Sequence, residues 1–446
     1  MNHMPASTIY ALASAPGRAG VAVFRLSGPA ARQALGFLGV EKKLKPRVAT
    51  LVKLESRITH HASRIIDTAL ALYFPAPHSF TGEEVVELHT HGSRAVIRLL
   101  LEALAACPGL RMAEAGEFAR RAFRNDKLDL AQAEGLADLI EAETASQHAQ
   151  AMRQLGGTLS ARVEGLRQAI LEPLALMEAY IDFPEEEIPD AVLREATQRV
   201  EALRRELAAL LDDGGVGEKI REGLEIVILG PPNAGKSSLL NALAKREAAI
   251  VSAEAGTTRD LIEVPMEIAG YAVTLVDTAG LRAHAPQIEA EGMRRALLRA
   301  RHAEITLRLC EVTTIAESSS ELKAQMDNNT LVLATKSDLA PLPVLPFSAL
   351  PVSTRTGAGM EAFLAALQAM IEQRMDKVAS PLITRARHRA ALTEALQALV
   401  RFRAEGALEL ACEDLRMAAA AIGKMTGKIW VDDVLDLVFS RFCIGK

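Results

Sequence analysis

One stretch near the middle of the chain limits the possible fold more than any other. Residues Gly230–Ser237 read Gly-Pro-Pro-Asn-Ala-Gly-Lys-Ser, which matches the phosphate-binding pattern G-x-x-x-x-G-K-[ST]. The apolar run Leu224–Leu229 precedes it and a helical pattern follows it. Strand, glycine loop and helix is the order this motif needs, because loop N–H groups and the helix dipole bind phosphate. We expect Lys236 to reach the outer phosphates and the Ser237 hydroxyl to bind Mg²⁺.

Composition limits the remaining possibilities. A length of 446 residues indicates about three domains. The chain is 49% apolar but only 4% aromatic, so we expect aliphatic, alanine-rich cores that favour helices. The formal net charge of −5 excludes a bulk basic field, so any RNA contact must come from a local patch or a partner.

Cysteine usage and hydropathy bear on the compartment. The four cysteines lie far apart with no C-x-x-C pair, which favours a reducing compartment and argues against a cysteine-based metal site. The first 20 residues are too short and too broken by proline and glycine for a signal peptide. No apolar run approaches the roughly 20 residues of a membrane span. We therefore expect a cytoplasmic protein.

The pattern of strands and helices predicts a multidomain α/β protein. Strand-like runs at Val21–Leu26, Ile66–Phe74 and Val85–Leu88, with a helix at Ala95–Ala105, indicate a mixed α+β domain over residues 1–119. Helical patterns follow over 120–221 and again over 376–446, and a Ras-like P-loop domain over 222–375 lies between them. The helical domain is therefore predicted to be discontinuous, and the run Gly214–Gly217 is predicted to be a linker.

Further motifs predict a nucleotide site in the P-loop domain, residues 222–375. The strand before Asp277 runs into D-x-x-G, so Asp277 is expected to hold Mg²⁺ through water and the Gly280 N–H to sense the γ-phosphate. Thr258 is the candidate switch threonine, because it lies between the P-loop and D-x-x-G; a threonine alone is usually a turn residue. Leu281 stands where many GTPases place a catalytic Gln, so hydrolysis must use another group or another subunit.

The base is expected to be guanine. Residues 335–338 read Thr-Lys-Ser-Asp in place of N-K-x-D, and Asp338 can accept the two N–H groups that guanine offers. Lys336 can pack over the base, while Thr335 replaces an amide that would brace the loops. The complete set of predicted nucleotide contacts is Asn233, Ala234, Gly235, Lys236, Ser237, Ser238, Ser252, Thr257, Thr258, Asp277, Thr278, Ala279, Gly280, Thr335, Lys336, Asp338, Ser353, Thr354 and Arg355.

Some polar residues in the first domain have more than one interpretation. His89 and His91 have H-x-H spacing, but no third metal ligand is apparent, and histidines in strands are commonly structural. Arg25 and Glu87 each interrupt an apolar strand, and from spacing alone an edge or a solvated face is the more usual explanation.

Four stretches outside the nucleotide motifs indicate a family. They are FTGEEVVELHTHG (80–92), GEFARRAFRNDKLDLAQAEGLADLI (116–140), IDFPEEE (181–187) and the terminal FCIGK (442–446). With these, the chain resembles the MnmE (TrmE) family of tRNA-modifying GTPases along nearly its whole length. The second and last stretches are specific together.

The resemblance implies an N-terminal domain that binds folate and forms a homodimer. It also implies joint action with the FAD-dependent partner MnmG, as a heterotetramer, to add an aminomethyl or carboxymethylaminomethyl group at position 5 of the wobble uridine of certain tRNAs. The one-carbon unit would come from 5-formyltetrahydrofolate or a related tetrahydrofolate. GTP hydrolysis would be activated when two G domains meet across a K⁺ ion.

The resemblance also assigns roles to particular residues. Asn233, Ser252, Glu254 and Thr257 match the positions that surround K⁺, although Ser252 and Glu254 depart from the expected residue types. Glu289 matches the water-orienting glutamate, which acts with Lys236 as the catalytic set; from spacing alone Glu289 is a surface-helix charge. The matching folate positions are Arg25, Glu87, Lys127 and Lys446, and Cys443 matches the tail cysteine.

Two alternatives from other functional classes stay open at this point. One is a regulatory GTPase switch in ribosome or RNA maturation, without modification chemistry of its own. The absence of a basic appended RNA-binding module and the presence of FCIGK argue against it. The other is a folate enzyme whose GTPase domain is only regulatory.

Overall fold

The computed structural model describes residues 7–56, 65–182, 190–246, 262–277, 298–375, 381–404 and 407–428, together with residues 435, 438, 439, 442 and 445. The chain divides into two compact units. The first comprises 1–137, 154–168 and 419–446, and the second comprises 138–153 and 169–418. No helix among the described residues is long and apolar enough to cross a membrane.

The elements before the P-loop begin with a sheet and continue as helices. The six strands of the sheet are β1 (Thr8–Leu12), β2 (Ala19–Ser27), β3 (Thr50–Glu55), β4 (Ile65–Phe74), β5 (Val85–Gly92) and β6 (Leu110–Met112). The helices are α1 (Ala31–Phe37), α2 (Arg94–Ala105), α3 (Glu117–Arg124), α4 (Leu130–Glu141), α5 (Ala145–Leu155), α6 (Thr158–Asp182), α7 (Asp190–Leu211) and α8 (Val216–Glu222).

The elements from the P-loop onward begin with a second sheet. Its strands are β7 (Leu224–Leu229), β8 (Ile262–Ile268), β9 (Tyr271–Asp277), β10 (Ile305–Glu311), β11 (Thr330–Thr335) and β12 (Leu350–Val352). The helices of this part are α9 (Lys236–Arg246), α10 (Ser319–Ala324), α11 (Met360–Met375), α12 (Ala386–Arg401) and α13 (Leu408–Thr426).

The first sheet has the order β3-β4-β5-β2-β1-β6, and only the β1–β6 pair is parallel. Its strands alternate in burial, because one face packs against α1 and α2 and the other does not. Phe24, Leu88 and Leu100 are fully buried on the packed side. On the other, open face, Leu51 and Leu70 are 64% and 42% exposed, so among the described residues the β3–β4 end of this face is apolar and accessible to solvent.

The second sheet has the order β12-β11-β10-β7-β9-β8. Its first five strands in this order are parallel, and β8 is antiparallel to β9. Apart from Glu225, strand β7 is apolar and almost wholly buried, as expected for a strand covered on both faces. Helices α9 and α11 contribute Leu239, Leu243 and Phe363 to its core. The predicted fold class, with a Ras-like P-loop domain, is therefore confirmed.

The individual strand and helix predictions are confirmed with small extensions. The predicted strand Val85–Leu88 continues to Gly92, because His89 and His91 prolong its alternation. The linker predicted at Gly214–Gly217 is wrong in its second half. Helix α8 begins at Val216, with Gly215 in the left-handed conformation as its N-cap.

Two segments that lead into and out of the second sheet are bound to each other. The Arg389 guanidinium donates to Asp213 (2.7 Å) and Glu218 (2.9 Å). Arg221 Nε donates to the Thr384 carbonyl at 2.9 Å. Gly217 lies so close to the second segment that a Cβ there would be 2.1 Å from the Ile383 carbonyl oxygen. Burial and this close approach, rather than flexibility, explain the glycine.

We expect Gly217→Ala to destabilise the protein by about 2–3 kcal/mol, because overpacking against a backbone carbonyl forces the two segments apart. Gly165→Ala is the matched control: this glycine also lies in a helix, and its added Cβ would meet nothing within 4 Å. The control is expected to stabilise its helix by about 1 kcal/mol. Thermal unfolding followed by circular dichroism distinguishes the two, and equal shifts for both variants would contradict the packing account.

Candidate functional site

The P-loop connects a buried strand to a helix, as the sequence predicts. Gly230 follows β7 directly, and a Cβ there would lie 2.5 Å from the Leu309 carbonyl oxygen of the neighbouring strand. Asn233 (φ 63°) and Gly235 (φ 90°) both adopt the left-handed conformation, which turns successive backbone N–H groups toward one concavity. Lys236 and Ser237 then open helix α9, so the positive end of the helix dipole faces the same concavity.

Two oxygen donors suitable for Mg²⁺ lie side by side at the start of this helix. The Ser237 hydroxyl donates to Asp277 Oδ2 at 3.1 Å, and Asp277 ends strand β9 and is buried. A hydroxyl and a carboxylate at this separation fit a hard divalent cation, which uses few protein ligands and keeps several waters. The residues present therefore fit Mg²⁺.

The Lys236 side chain lies within the loop. Its ammonium donates to the carbonyl oxygens of Gly230 (2.6 Å) and Pro231 (2.9 Å). Burial lowers the pKa of Lys236, and the nearby Asp277 carboxylate partly opposes this shift. A buried ammonium held within the P-loop by two backbone carbonyls is well placed to bind an anion.

Thr335 connects the loop after β11 to the P-loop, although it replaces the expected asparagine. Its hydroxyl donates to the Ala234 carbonyl of the P-loop at 2.8 Å, with the Cys310 carbonyl 3.2 Å away. The side chain is buried, so the bond is protected from water. The expectation of a missing brace is therefore wrong, because the Thr335 hydroxyl itself bonds to the P-loop.

The predicted base-contacting residues lie after β11 and β12. Ser353 donates to Asp338 at 2.5 Å, and the Arg355 guanidinium lies 2.7 Å from the same carboxylate. These partners lower the pKa of Asp338, with the Ser353 hydrogen bond as the largest cause, so the carboxylate stays ionised. The structure thus brings Asp338, Ser353 and Arg355 together; Thr354 lies between the last two and is exposed.

One residue of this region was missed from the sequence. Glu311 ends strand β10, and its carboxylate accepts from the Lys336 ammonium at 2.6 Å. That hydrogen bond lowers the pKa of Glu311. A signal was available, because a carboxylate at the carboxyl end of a parallel strand next to the P-loop strand lies where ligands bind.

Part of the predicted nucleotide site lies outside the described residues. Ser238 lies on α9 with an exposed side chain. The predicted positions outside the described part of the chain are Ser252, Glu254, Thr257, Thr258, Thr278, Ala279, Gly280, Leu281 and Glu289.

A second group of polar residues lies on the open face of the first sheet. Arg25 and Glu87 are directly opposite each other on β2 and β5, and Arg25 Nε donates to Glu87 Oε1 at 3.0 Å. The Arg25 guanidinium also lies over the rings of Phe80 (5.4 Å) and Phe118 (5.9 Å). Neither residue is on an edge strand, so the edge interpretation is wrong. The two charges compensate each other on interior strands.

A buried network holds the loop that carries Phe80. The Arg121 guanidinium donates to Glu83 at 2.9 Å, and the Ser27 hydroxyl donates to the same carboxylate at 2.6 Å. Ser27 and Thr81 are joined through their hydroxyls at 2.7 Å, and Asn125 donates to the Thr81 carbonyl at 2.6 Å. The sequence analysis did not predict this network, although Thr-Gly-Glu before a strand is typical of a turn.

Of the other two predicted folate residues, Lys127 packs against this loop and Lys446 lies outside the described residues. A Cβ on Gly82 would lie 3.1 Å from Lys127 Cε, so the lysine stem packs against the loop. Near the carboxyl end of the chain, a Cβ on Gly445 would lie 2.3 Å from the carbonyl oxygen of Leu12, whose cross-strand partner Phe24 precedes Arg25. Lys446 and Cys443 lie outside the described residues.

The two predicted histidines have structural partners. His91 Nδ1 lies 2.8 Å from Asp67, and His89 Nε2 lies 3.5 Å from Glu87. Within the described part of the chain, no group of three or more His, Cys, Asp or Glu residues could hold a metal ion.

Comparisons with known proteins cover almost the whole chain. A family model described as the MnmE helical domain matches residues 130–443. Another, described as the GTP-binding protein TrmE N-terminus, matches residues 8–127. The tRNA modification GTPase MnmE of Parvibaculum lavamentivorans is 51% identical over 445 residues, which cover 98% of this chain and 100% of the relative. That of Paramagnetospirillum magneticum is 48% identical, with 98% and 99% covered.

Similarity to solved structures is weaker. The G domain of the T. maritima FeoB iron transporter aligns with 34% of this chain and 98% of its own, at 23% identity and a TM-score of 0.26. A TM-score this low supports no conclusion about this chain.

We expect Thr335→Val to weaken GDP binding about tenfold, because it removes the bond to the buried Ala234 carbonyl and leaves that acceptor without its donor. Thr335→Ser keeps the hydroxyl and serves as the matched control, with binding close to that of the natural protein. Titration with a fluorescent GDP analogue measures both. Unchanged affinity in the valine variant would show that the brace does not support nucleotide binding.

Proposed function

The chain belongs to the MnmE family of tRNA modification GTPases, and from this premise we propose that it is a K⁺-stimulated GTPase of tRNA wobble-uridine modification. GTP hydrolysis in tRNA modification follows from membership in the family. The proposal adds the partner and the chemistry. With the FAD-dependent protein MnmG, the chain would add an aminomethyl or carboxymethylaminomethyl group at position 5 of the wobble uridine, using a tetrahydrofolate one-carbon unit.

One observation carries the proposal beyond GTP hydrolysis. The first sheet presents a charge-compensated pair, Arg25 and Glu87, with Phe80 and Phe118 beside the guanidinium. A GTPase switch in ribosome or RNA maturation has no need of such a site. A folate enzyme needs such a site, because the partly exposed Phe80 ring can stack on the ligand and the Glu87 carboxylate can accept paired N–H groups from a pterin edge.

In the nucleotide site, we assign the phosphates to the loop around Asn233–Ser238 and guanine to Asp338. Ser237 and Thr258 would hold Mg²⁺, which would supply positive charge near the phosphoryl oxygens. Lys236 contributes a second positive charge from within the loop. Since Leu281 cannot orient water, we assign that role to Glu289.

For K⁺, we assign Asn233 together with Ser252, Glu254 and Thr257. Asn233 supports this assignment because it is exposed at the tip of the loop, where it is accessible to a second G domain. A monovalent cation there would offset charge as an arginine finger does.

For folate, we assign Arg25, Glu87, Lys127 and Lys446. The packing of the Lys127 stem against Gly82 and the approach of Gly445 to Leu12 support a common site. Two ammonium groups near a carboxylate-bearing ligand would bind its glutamate tail, while Glu87 would bind the opposite, N–H-rich end.

The open sheet face supports a homodimer. Leu51, Leu70, His89 and Val23 are successive cross-strand neighbours on that face, and the two leucines are exposed. Burying such a row against a second copy is the simplest way to remove it from water.

We further propose that the chain forms a cytoplasmic heterotetramer with MnmG that acts on tRNA. We propose domains at 1–119, 120–221, 222–375 and 376–446.

The function is tested by nucleoside analysis of tRNA from a bacterial strain whose own copy of this protein is deleted and which expresses this chain. Restored modification at wobble position 5 is the expected result, and a strain without the chain is the baseline. Normal wobble nucleosides in the deletion strain, together with a defect in ribosome assembly, would favour the switch instead.

Replacing Glu289 by Ala should slow GTP turnover by about 100-fold with little change in nucleotide affinity, because a water-orienting group acts on the chemical step and not on binding. Single-turnover kinetics and a GDP titration measure the two effects separately. A turnover rate equal to that of the natural chain would remove Glu289 from the mechanism.

Replacing Arg25 by Met should abolish or strongly weaken binding of 5-formyltetrahydrofolate, since it leaves the Glu87 carboxylate uncompensated beside the ligand. Arg94→Met, at an exposed position at the start of α2, is the control and should bind normally. Calorimetry with the folded dimer measures both variants. Equal binding by the two would contradict the assignment of Arg25.

A further inference from the structure

A short segment of the first unit, outside both candidate sites, carries a cluster of positive charge. The basic segment, Lys42–Lys53, contains five cationic residues and no carboxylate, between Glu41 and Glu55, in a chain whose net charge is −5. Its cations are Lys42, Lys43, Lys45, Arg47 and Lys53, all of them exposed. From the placement of these charges we propose that the basic segment is a surface through which this chain contacts the phosphate backbone of tRNA. The choice of tRNA rests on the proposed function.

The charges of this segment are not compensated. Within the part of the chain that the structure describes, none of its four lysines is in an ion pair. Exposed cations elsewhere in the described chain include ion-paired ones, such as Lys428 with Glu164, and ones without an ion pair, such as Lys323. The basic segment differs in density, because its four lysines without ion pairs lie within twelve residues. A polyanionic partner would compensate these charges together.

The backbone of the segment is fixed, so its lysines project from a defined position. Leu44 is buried in the core of the first sheet. Pro46 forms a β-bridge with Tyr73, and Arg47 N–H donates to the Tyr73 carbonyl at 2.8 Å. The Arg47 guanidinium donates to the His78 carbonyl at 2.5 Å. Anchoring at these points lowers the entropy that would be lost when the segment binds a partner.

An edge-protection role explains only part of this pattern. Strand β3 is at one edge of its sheet, and lysines on edge strands commonly prevent pairing with other chains. Lys53 lies on that strand and fits this role. Lys42, Lys43 and Lys45 precede the strand, where no free edge needs protection.

The chemistry of the segment favours phosphate over bases. It contains no aromatic residue on which a base could stack. Lysines offer point charges, which contact phosphates without reading sequence. Lys43 and Lys45 are at most about 7 Å apart along the backbone, so both can contact phosphates of one strand. The contact would position the tRNA and leave the choice of base to other groups.

The test compares two charge-matched variants of the full chain in their binding to a wobble-uridine tRNA transcript. K42Q/K43Q/K45Q removes three charges from the basic segment. R94Q/R98Q/R124Q removes three exposed charges from α2 and α3 of the same unit. Titrations at several KCl concentrations give both the affinity and its salt dependence, and GTP turnover and folate binding are measured in parallel.

We expect the segment variant to bind tRNA about 10- to 100-fold more weakly and to reduce the slope of log K against log salt by about 2 to 3. The control variant should bind tRNA almost as the natural chain does, and both should keep normal GTP turnover. Equal losses in the two variants would show an effect of net charge alone and would overturn the proposal.

Two further outcomes would also overturn it. One is no measurable binding of tRNA by the natural chain, which would leave the GTPase and folate assignments standing on their own measurements. The other is loss of binding to phosphatidylserine vesicles in the segment variant with tRNA binding unchanged, which would assign the segment to a membrane surface.

Discussion

The carboxyl ends of five neighbouring parallel strands meet at one edge of the second sheet, and the nucleotide site depends on that constraint. Gly230, Asp277 and Glu311 all lie at or directly after such strand ends. Their positions follow from the register of the sheet, so the P-loop and the Asp277 carboxylate need no further elements to bring them together. The Thr335 hydroxyl adds one bond that connects the end of strand β11 to the P-loop.

In the first sheet, strand register also determines which polar side chains meet. A single arginine on a half-buried strand would be unfavourable, and so would a single glutamate. Because Arg25 and Glu87 face each other across two interior strands, each offsets the charge of the other. The pair is held where the chain also presents exposed leucines. The ligand site and the surface for a second copy that we propose would therefore share one face.

The sequence was most informative where local pattern and chemistry coincide. The apolar run before Gly230 and the helical spacing after Ser237 predict strand, loop and helix without help from tertiary contacts. The pairing of Arg25 with Glu87 could not be predicted from residues 62 positions apart, because it depends on the register of β2 with β5. Similarly, Gly217 resembles a linker residue in sequence, and only the close approach of Ile383 shows why it must be small.

The central claim is that GTP hydrolysis in this chain depends on a monovalent cation beside Asn233. The most direct measurement is GTP turnover by the purified chain in K⁺ and in Na⁺ at equal ionic strength. The account predicts strong activation by K⁺ over Na⁺, which Asn233→Ala would remove. Equal rates in the two salts would contradict it and would favour a switch that shares the fold but not the cation-dependent mechanism.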